Sequence, residues 1–381
     1  MADVSIATIR SMLQARVDAV VRELVPGGIM RSGLYEAPNP TRGDRHAGSF
    51  KIYMRGATAG KFVDYAGVNA PFIAGGDRGD VIDLIAYVAY GSHDRAEARK
   101  KAIAWAKDFL GLAELSVAER ERLTKLAHAR KLAVAAKHQD EEERKRKRAF
   151  DLFMQARVGL AGTPADAYLL SREIDIRDIP TFNHQDIRFH PGLEYFQAAE
   201  WGEVGGRRVK LKPGPAFPAI VCGFRNRGGA VTGVHCTYLQ HDGAGKADVP
   251  KAKLMLGTIA GSVVRVAHGR GNVPPEAVTE QGYPADLPET VLAEGLEDCT
   301  TLASAAPEAR VWMTGSLGNL GNVYVDHPCV GDVIVARDND WQSPQAVRQF
   351  EHGILLLEAH GKPISQMAAI AGKDFNDLWR F

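Results

Sequence analysis

Apolar residues recur at helical spacing over residues 5–24: Ile6, Ile9, Leu13, Val17, Val20, Val21 and Leu24. That periodicity predicts a helix, and Pro26-Gly27-Gly28 ends it. A turn-rich stretch follows over residues 37–48. Residues 49–53 and 61–65 then read as two short strands around a glycine-containing loop. Gly75-Gly76 precedes a helix over residues 79–90, with Val81, Leu84, Ile85 and Val88 on one face. A further helix is expected over residues 95–110, which closes a compact N-terminal unit near residue 112. Residues 116–156 hold no Gly or Pro and are rich in Ala, Glu, Lys and Arg. They predict one or two long charged helices joining domains. Within them Glu141-Glu142-Glu143 precedes the basic run Arg144-Lys145-Arg146-Lys147-Arg148. A solvated helix face balanced by its acidic neighbour accounts for that run better than a phosphate contact does.

Beyond residue 164 the pattern is mixed. A helix is expected around residues 167–170 and a short strand over residues 187–191. Residues 218–224 and 230–235 form an antiparallel pair whose connection, Arg225-Asn226-Arg227-Gly228-Gly229, has hairpin-turn chemistry. From residue 290 the character changes. Short apolar strands at 290–293, 311–314 and 332–337 alternate with helices at 300–305 and 343–360. Alternation of this kind implies βαβ units and a parallel sheet. Ligands in such sheets sit off the carboxyl ends of the strands, where this chain places Glu294, Gly315, Asp338 and Asp340.

The chain has 381 residues, 45% hydrophobic and 24% charged, so it is long enough for two or three packed domains and wholesale disorder is excluded. The formal net charge of +1 does not advertise nucleic-acid binding; local clusters of Lys and Arg decide that question. The four cysteines, Cys222, Cys236, Cys299 and Cys329, form no C-x-x-C pair and are expected to be free thiols in a reducing cytoplasm. No apolar run approaches the roughly 18 residues of a membrane span, and no secretory h-region opens the chain. A cytoplasmic protein without membrane partners is expected.

Two aspartates at i and i+2 just past a buried strand repel one another, and a divalent cation resolves the repulsion. Mg²⁺ (or Mn²⁺) suits such a place because it takes one or two carboxylates and completes its shell with water and phosphate oxygens. Glu294, from a neighbouring strand end, is a further ligand or a general base. The competing explanation, capping of a helix start, fits D-x-D alone. It fits less well once E-G follows one strand and G-S-x-G-N follows another.

Glu294-Gly295-Leu296-Glu297-Asp298 resembles the E-G-x-x-D motif of the Toprim domain, shared by bacterial-type DNA primases, type IA and II topoisomerases and some nucleases. Gly315-Ser316-Leu317-Gly318 resembles its glycine turn and Asp338-Asn339-Asp340 its D-x-D. Lys373-Asp374-Phe375-Asn376-Asp377 resembles a segment of phage and plasmid primases. Upstream, Tyr168-Leu169-Leu170-Ser171-Arg172-Glu173-Ile174, Arg188-Phe189-His190-Pro191, the hairpin at 220–238 and Lys251-Ala252-Lys253-Leu254-Met255 resemble the start of the primase core. The layout of residues 48–85 resembles the primase zinc ribbon without its ligands. No cysteine precedes residue 222 and only His46 lies near the expected first pair, so no zinc is expected.

The resemblance implies an α+β multidomain chain from a phage, plasmid or other mobile element. Its parts would be a degenerate zinc-ribbon-like DNA-binding unit (1–112), a charged helical linker (113–160), the N-terminal part of a primase core (161–287) and a Toprim domain with a mostly parallel sheet (288–381). The implied activity is templated synthesis of short RNA primers on single-stranded DNA from ribonucleoside triphosphates. The implied catalytic residues are Glu294, Asp338, Asp340 and Lys373, and the implied metal ligands are Glu294, Asp338, Asp340 and Asp374. Arg225, Arg227, Lys251, Lys253, Arg42 and Arg45 are the candidate nucleotide- and nucleic-acid-binding cations. Lys51, Arg55 and Lys61, with Phe50, Tyr53, Phe62 and Tyr65 as stacking partners, could serve single-stranded DNA, although at least two of those rings are expected to be core. The chain has no G-x-x-x-x-G-K-[ST] loop and no room after Asp377 for a helicase, so a separate replicative helicase is the implied partner. A Toprim nuclease and a non-catalytic single-stranded-DNA-binding replication accessory protein are the alternatives; a topoisomerase would need a tyrosine-bearing domain that is not evident.

Overall fold

In the computed structural model, which describes residues 4–31, 33–41, 44, 48–65, 77–91, 95–112, 117–278, 286–339 and 343–379, the chain separates into two compact units, Met1–Asp140 and Glu141–Phe381. Arg42, Arg45, His46, Gly75, Gly76 and Asp340 lie outside the described residues. The opening periodicity is carried by two helices rather than one, α1 (Ile6–Ala15) and α2 (Val17–Leu24), because Arg16 leaves helical geometry at φ −117°. Ser5 caps α1 by accepting from the Thr8 amide. A five-stranded antiparallel meander follows in chain order: β1 (Ile29–Arg31), β2 (Leu34–Ala37), β3 (Phe50–Tyr53), β4 (Phe62–Asp64) and β5 (Asp77–Gly79). It is closed by α3 (Val81–Ile85), which continues as a π-turn through Tyr90, and by α4 (Arg95–Phe109). An Asp80/Asp83 capping box starts α3.

Phe50 and Phe62 are buried against Tyr87 and belong to this core, not to a stacking surface. Tyr53 is half-buried, and Tyr65 is 64% exposed. Lys51 is tied to Glu36 on the neighbouring strand at 2.9 Å. A buried polar knot of Asn39, Asp64 and Tyr87 crosses the same core at 2.7–3.2 Å, each polar group satisfied by another.

The charged stretch is a single helix, α5 (Val117–Gln155). The second unit begins within it and contains two five-stranded sheets. The first has the order β12-β11-β10-β7-β6, comprising β6 (Arg157–Val158), β7 (Ile187–Glu194), β10 (Ala216–Arg225), β11 (Val231–Tyr238) and β12 (Lys253–Gly257). Helix α6 (Pro164–Ser171), capped by Thr163, lies between β6 and β7 in the chain. A separate hairpin, β8 (Glu200–Val204) and β9 (Arg207–Lys212), is inserted between β7 and β10. Strand β10 is covered on both faces, which is why it reads as an unbroken apolar run. On one face Ala149 and Phe153 of α5 pack against Val221, Val234 and Cys236. Gly223 admits the Phe153 ring, since a Cβ there would stand 2.6 Å from it. On the other face Ile220, Cys222 and Phe224 share a core with α6 and the second sheet.

That second sheet has the order β13-β15-β14-β16-β17. Strands β14 (Thr290–Ala293), β15 (Arg310–Met313), β16 (Val333–Arg337) and β17 (Ile364–Ala368) are mutually parallel, and β13 (Val264–Ala267) adds an antiparallel edge. Alternate residues divide between two cores. Val291, Ala293, Val311 and Met313 face the side of α7 (Leu296–Ala305). Leu292, Trp312, Val333 and Val335 face α8 (Leu317–Leu320) and α9 (Pro344–Glu358). Helix α10 (Phe375–Trp379) ends the described chain. All four cysteines are free and buried in this unit, as expected from their spacing. Among the described residues no helix is long and apolar enough to cross a membrane.

Asn319, in the glycine turn after β15, holds three backbone groups at once. Its Nδ2 donates to Thr314 O at 2.9 Å and Ser262 O at 2.8 Å, and its Oδ1 accepts from Gly261 N at 3.0 Å. Asn319→Ala leaves buried backbone groups unpaired and should destabilise the second unit by about 3 kcal/mol. Urea unfolding should show a lowered midpoint at unchanged slope.

Candidate active site

Strands β14 and β16 are adjacent and parallel, and their connections leave toward opposite faces, α7 on one and α9 on the other. This is the switch-point geometry at which open α/β sheets bind ligands. Glu294 and Asp338, the residues just beyond the two strands, line a cleft of about 520 Å³. Most of its remaining wall is apolar, including Leu317, Val347, Phe350 and Ile354.

The middle residue of D-x-D fastens the next segment. Asn339 donates from its amide to Lys373 O at 2.8 Å and from Nδ2 to Ala369 O and Gly372 O at 3.0 and 2.9 Å. The Lys373-Asp374 turn is thereby fixed to the end of β16. Asp374 caps α10 by accepting from the Asp377 amide at 2.8 Å. Asp298, in the first turn of α7, accepts from the Phe375 and Asn376 amides at 3.0 and 3.2 Å. Burial, and then the nearby Asp374 and Asp338 charges, push the Asp298 carboxyl up to about 7. Three acids from three chain segments therefore share one electrostatic neighbourhood.

Glu297, one residue earlier, is buried and takes a different set of partners. It accepts from Tyr168 Oη at 2.7 Å and is paired with Lys246 at 3.0 Å and Lys253 at 2.9 Å. Burial alone would raise its pKa, but the two ammonium groups and the Tyr168 and Lys253 hydrogen bonds hold it well below the ordinary carboxylate range. Burial also pulls the Lys253 ammonium toward neutrality, and Glu297 outweighs it, so its pKa lies above the ordinary value. Lys253, named from the sequence, is thus brought beside the acids, and Lys246 comes with it.

The other candidate cations have other partners. Arg225 is bound to the buried Asp186 and to Gly229 O, so this hairpin arginine is turned to internal work. Arg227 pairs with Asp326 on the surface. Lys251 and Lys373 are exposed. Glu297, Lys246, Tyr168 and Arg172, which lies 3.9 Å from Asp377, were not singled out from the sequence as site residues. The second acid in E-G-L-E-D was the one available signal for Glu297; nothing local marks Lys246.

Carboxylate oxygens are the donors that Mg²⁺ or Mn²⁺ prefers, and the Asp374 and Asp338 charges that add to burial in raising the Asp298 pKa are what such a cation offsets. The donor set fits that ion in type. Among the described residues no three His, Cys, Asp or Glu side chains form a ready-made metal site.

Residues 289–381 match the Toprim domain family, and residues 143–266 match a domain of unknown function (DUF7146). With its parallel sheet and acids at the strand ends, the C-terminal region is a Toprim domain in a mixed α/β multidomain chain. No curated protein matches the chain significantly. Among solved structures, the Aquifex aeolicus primase (zinc-binding and RNA polymerase domains) is similar over 98% of this chain and 82% of its own, at 14% identity and TM-score 0.35. A DnaG primase catalytic domain bound to single-stranded DNA is similar over 63% and 78%, at 15% identity and TM-score 0.39. A Pseudomonas aeruginosa DNA primase domain is similar over 58% and 68%, at 17% identity and TM-score 0.35.

Because the folded Asp298 carboxyl is raised from 3.8 to about 7, it holds its proton where the unfolded chain has released it. Its contribution is present at low pH and is lost as pH rises through that window. In chelator, the stability of the metal-free protein should fall between those two pH values. Asp298→Asn, whose Oδ1 can still accept both amides, should flatten that fall in pH-resolved urea titrations.

Proposed function

We propose that this chain is a DNA primase, joining ribonucleotides into a short primer on a single-stranded DNA template in the cytoplasm of a cell carrying a phage, plasmid or other mobile element. The observation that carries the reading is the meeting, at the carboxyl end of the central Toprim strand, of buried acids with two lysines from the upstream part of the unit, Lys253 on β12 and Lys246 in the turn before it. A nuclease needs the acids. A polymerising site must also hold a triphosphate, and lysines beside the acids suit that task.

Glu294, Asp338 and Asp374, with Asp340, would hold Mg²⁺, which when bound supplies charge neutralisation for phosphoryl transfer. Lys253 and Lys246 meet the triphosphate, and Lys373 adds positive charge at the rim. The primer 3′-hydroxyl forms its bond to the α-phosphorus as the α–β bridge breaks, releasing diphosphate; its proton goes to Glu294 where that carboxylate is not a metal ligand, and otherwise to water. Residues 1–112 would bind single-stranded DNA, with their shape maintained by the Phe50–Phe62–Tyr87 core instead of zinc. Residues 113–160 would act as a linker, residues 161–287 as the first part of the core and residues 288–381 as its Toprim part. A replicative helicase on a separate chain would deliver the template.

Incubation with single-stranded template, labelled ribonucleotides and Mg²⁺ should give short labelled primers, and Asp338→Ala should reduce their yield about a hundredfold or more. Template cleavage without primer would favour the nuclease. Undiminished synthesis by Asp338→Ala would remove this residue from the mechanism.

A further inference from the structure

Glu297 sits in an unusual electrostatic position. One carboxylate faces two ammonium groups, so the trio carries one surplus positive charge. Glu297 is 6% exposed, whereas Lys246 and Lys253 are 37% and 39% exposed at the side chain, so the cations reach toward solvent while the anion beneath them does not. Lys253 is within electrostatic range of Asp298, which in turn senses Asp338 and Asp374. Tyr168 fixes the carboxylate from behind through α6. On β11, Thr237 is the register partner of Lys253 and His235 lies two residues before it on the same face; Thr237 Oγ1 and His235 Nδ1 are buried and have no hydrogen-bond partner among the described residues. Buried polar atoms in that condition are uncommon.

We infer that Glu297 is a positioning residue that gathers Lys246 and Lys253 into a two-ammonium clamp for the phosphates of an incoming nucleoside triphosphate. The inference rests on the primase reading for its substrate. Lysine side chains are long and rotamer-rich, and each loses entropy when fixed; a buried carboxylate shared by both fixes them before the ligand arrives. Glu297 also outweighs the burial that lowers the Lys253 pKa, and so favours the charged ammonium. Without it the two cations repel each other and leave the position they hold beside the acids. Glu297 touches no reacting atom, so its loss weakens nucleotide capture and leaves the chemical step nearly intact.

The test uses the full chain and four proteins: wild type, Glu297→Gln, Lys246→Met and the double variant. Mg²⁺–ATP binding is measured by calorimetry without template, and KM and kcat are measured in primer synthesis. Glu297→Gln, which keeps the shape and the Tyr168 hydrogen bond, should raise the ATP Kd and KM about tenfold with kcat within about twofold. Lys246→Met, at a partly exposed position that does not threaten folding, should also raise both. The double variant should be little worse than Glu297→Gln alone, because both changes dismantle one clamp. Unchanged or tighter ATP binding by Glu297→Gln, fully additive effects, or a fall in kcat at constant KM would each overturn the clamp. Clamp-dependent ATP binding by a protein that makes no primer would sink the primase reading and leave the clamp standing. Primer synthesis with unaltered KM in all variants would do the reverse.

Discussion

Two consecutive buried carboxylates in the first turn of α7 organise the second unit. Glu297 and Asp298 are neighbours in the chain, but successive helical positions point about 100° apart, so they address different parts of the molecule. Glu297 takes Tyr168 from α6, Lys253 from β12 and Lys246 from the turn before β12. Asp298 takes the amides that begin α10. A carboxylate withdrawn from water is costly unless hydrogen-bonded or paired, and each of these is satisfied only when its distant segment is in place. The start of a helix is also where negative charge is best tolerated. The upstream module and the C-terminal segment are thus both referred to one helical turn, directly beyond strand β14 and Glu294.

The parallel sheet was legible where burial is complete. Strands β14, β15 and β16 are short apolar runs with polar residues at their carboxyl ends, and that contrast located Glu294 and Asp338 without any tertiary information. Strand β17 escaped because it is a half-exposed edge whose Ser365 and Gln366 break the apolar signal. Strand β13 escaped because Arg265 interrupts it; that arginine is buried, held by Glu276, Tyr324 and Asn226 O. The break between α1 and α2 falls at Arg16, with no Pro or Gly to announce it. The β8–β9 hairpin has too little core of its own to impose a pattern, leaving Trp201, Val204 and Leu211 exposed.

Cations were harder to place than acids, for a physical reason. An acid after a buried strand is positioned by the strand, whereas a lysine or arginine is positioned by whichever carboxylate it finds. Arg225 sits at a hairpin and looks available to a phosphate, yet Asp186, 39 residues away in sequence, claims it. Lys246 lies in a turn with no distinguishing context, and only the fold brings it to Glu297. The near-neutral total charge of +1 likewise conceals the local arrangement in which two ammonium groups share one carboxylate.

The four buried thiols give the molecule an unintended gauge. All lie in the second unit and none in the first. Burial pushes Cys236 up to about 12 and Cys222 and Cys299 well above the ordinary thiol value, so the reactive thiolate is scarce while the fold is intact. A thiol-directed reagent therefore meets little until that unit opens. Its labelling rate reads the opening of the Toprim-bearing half alone, with the N-terminal half silent in the same tube.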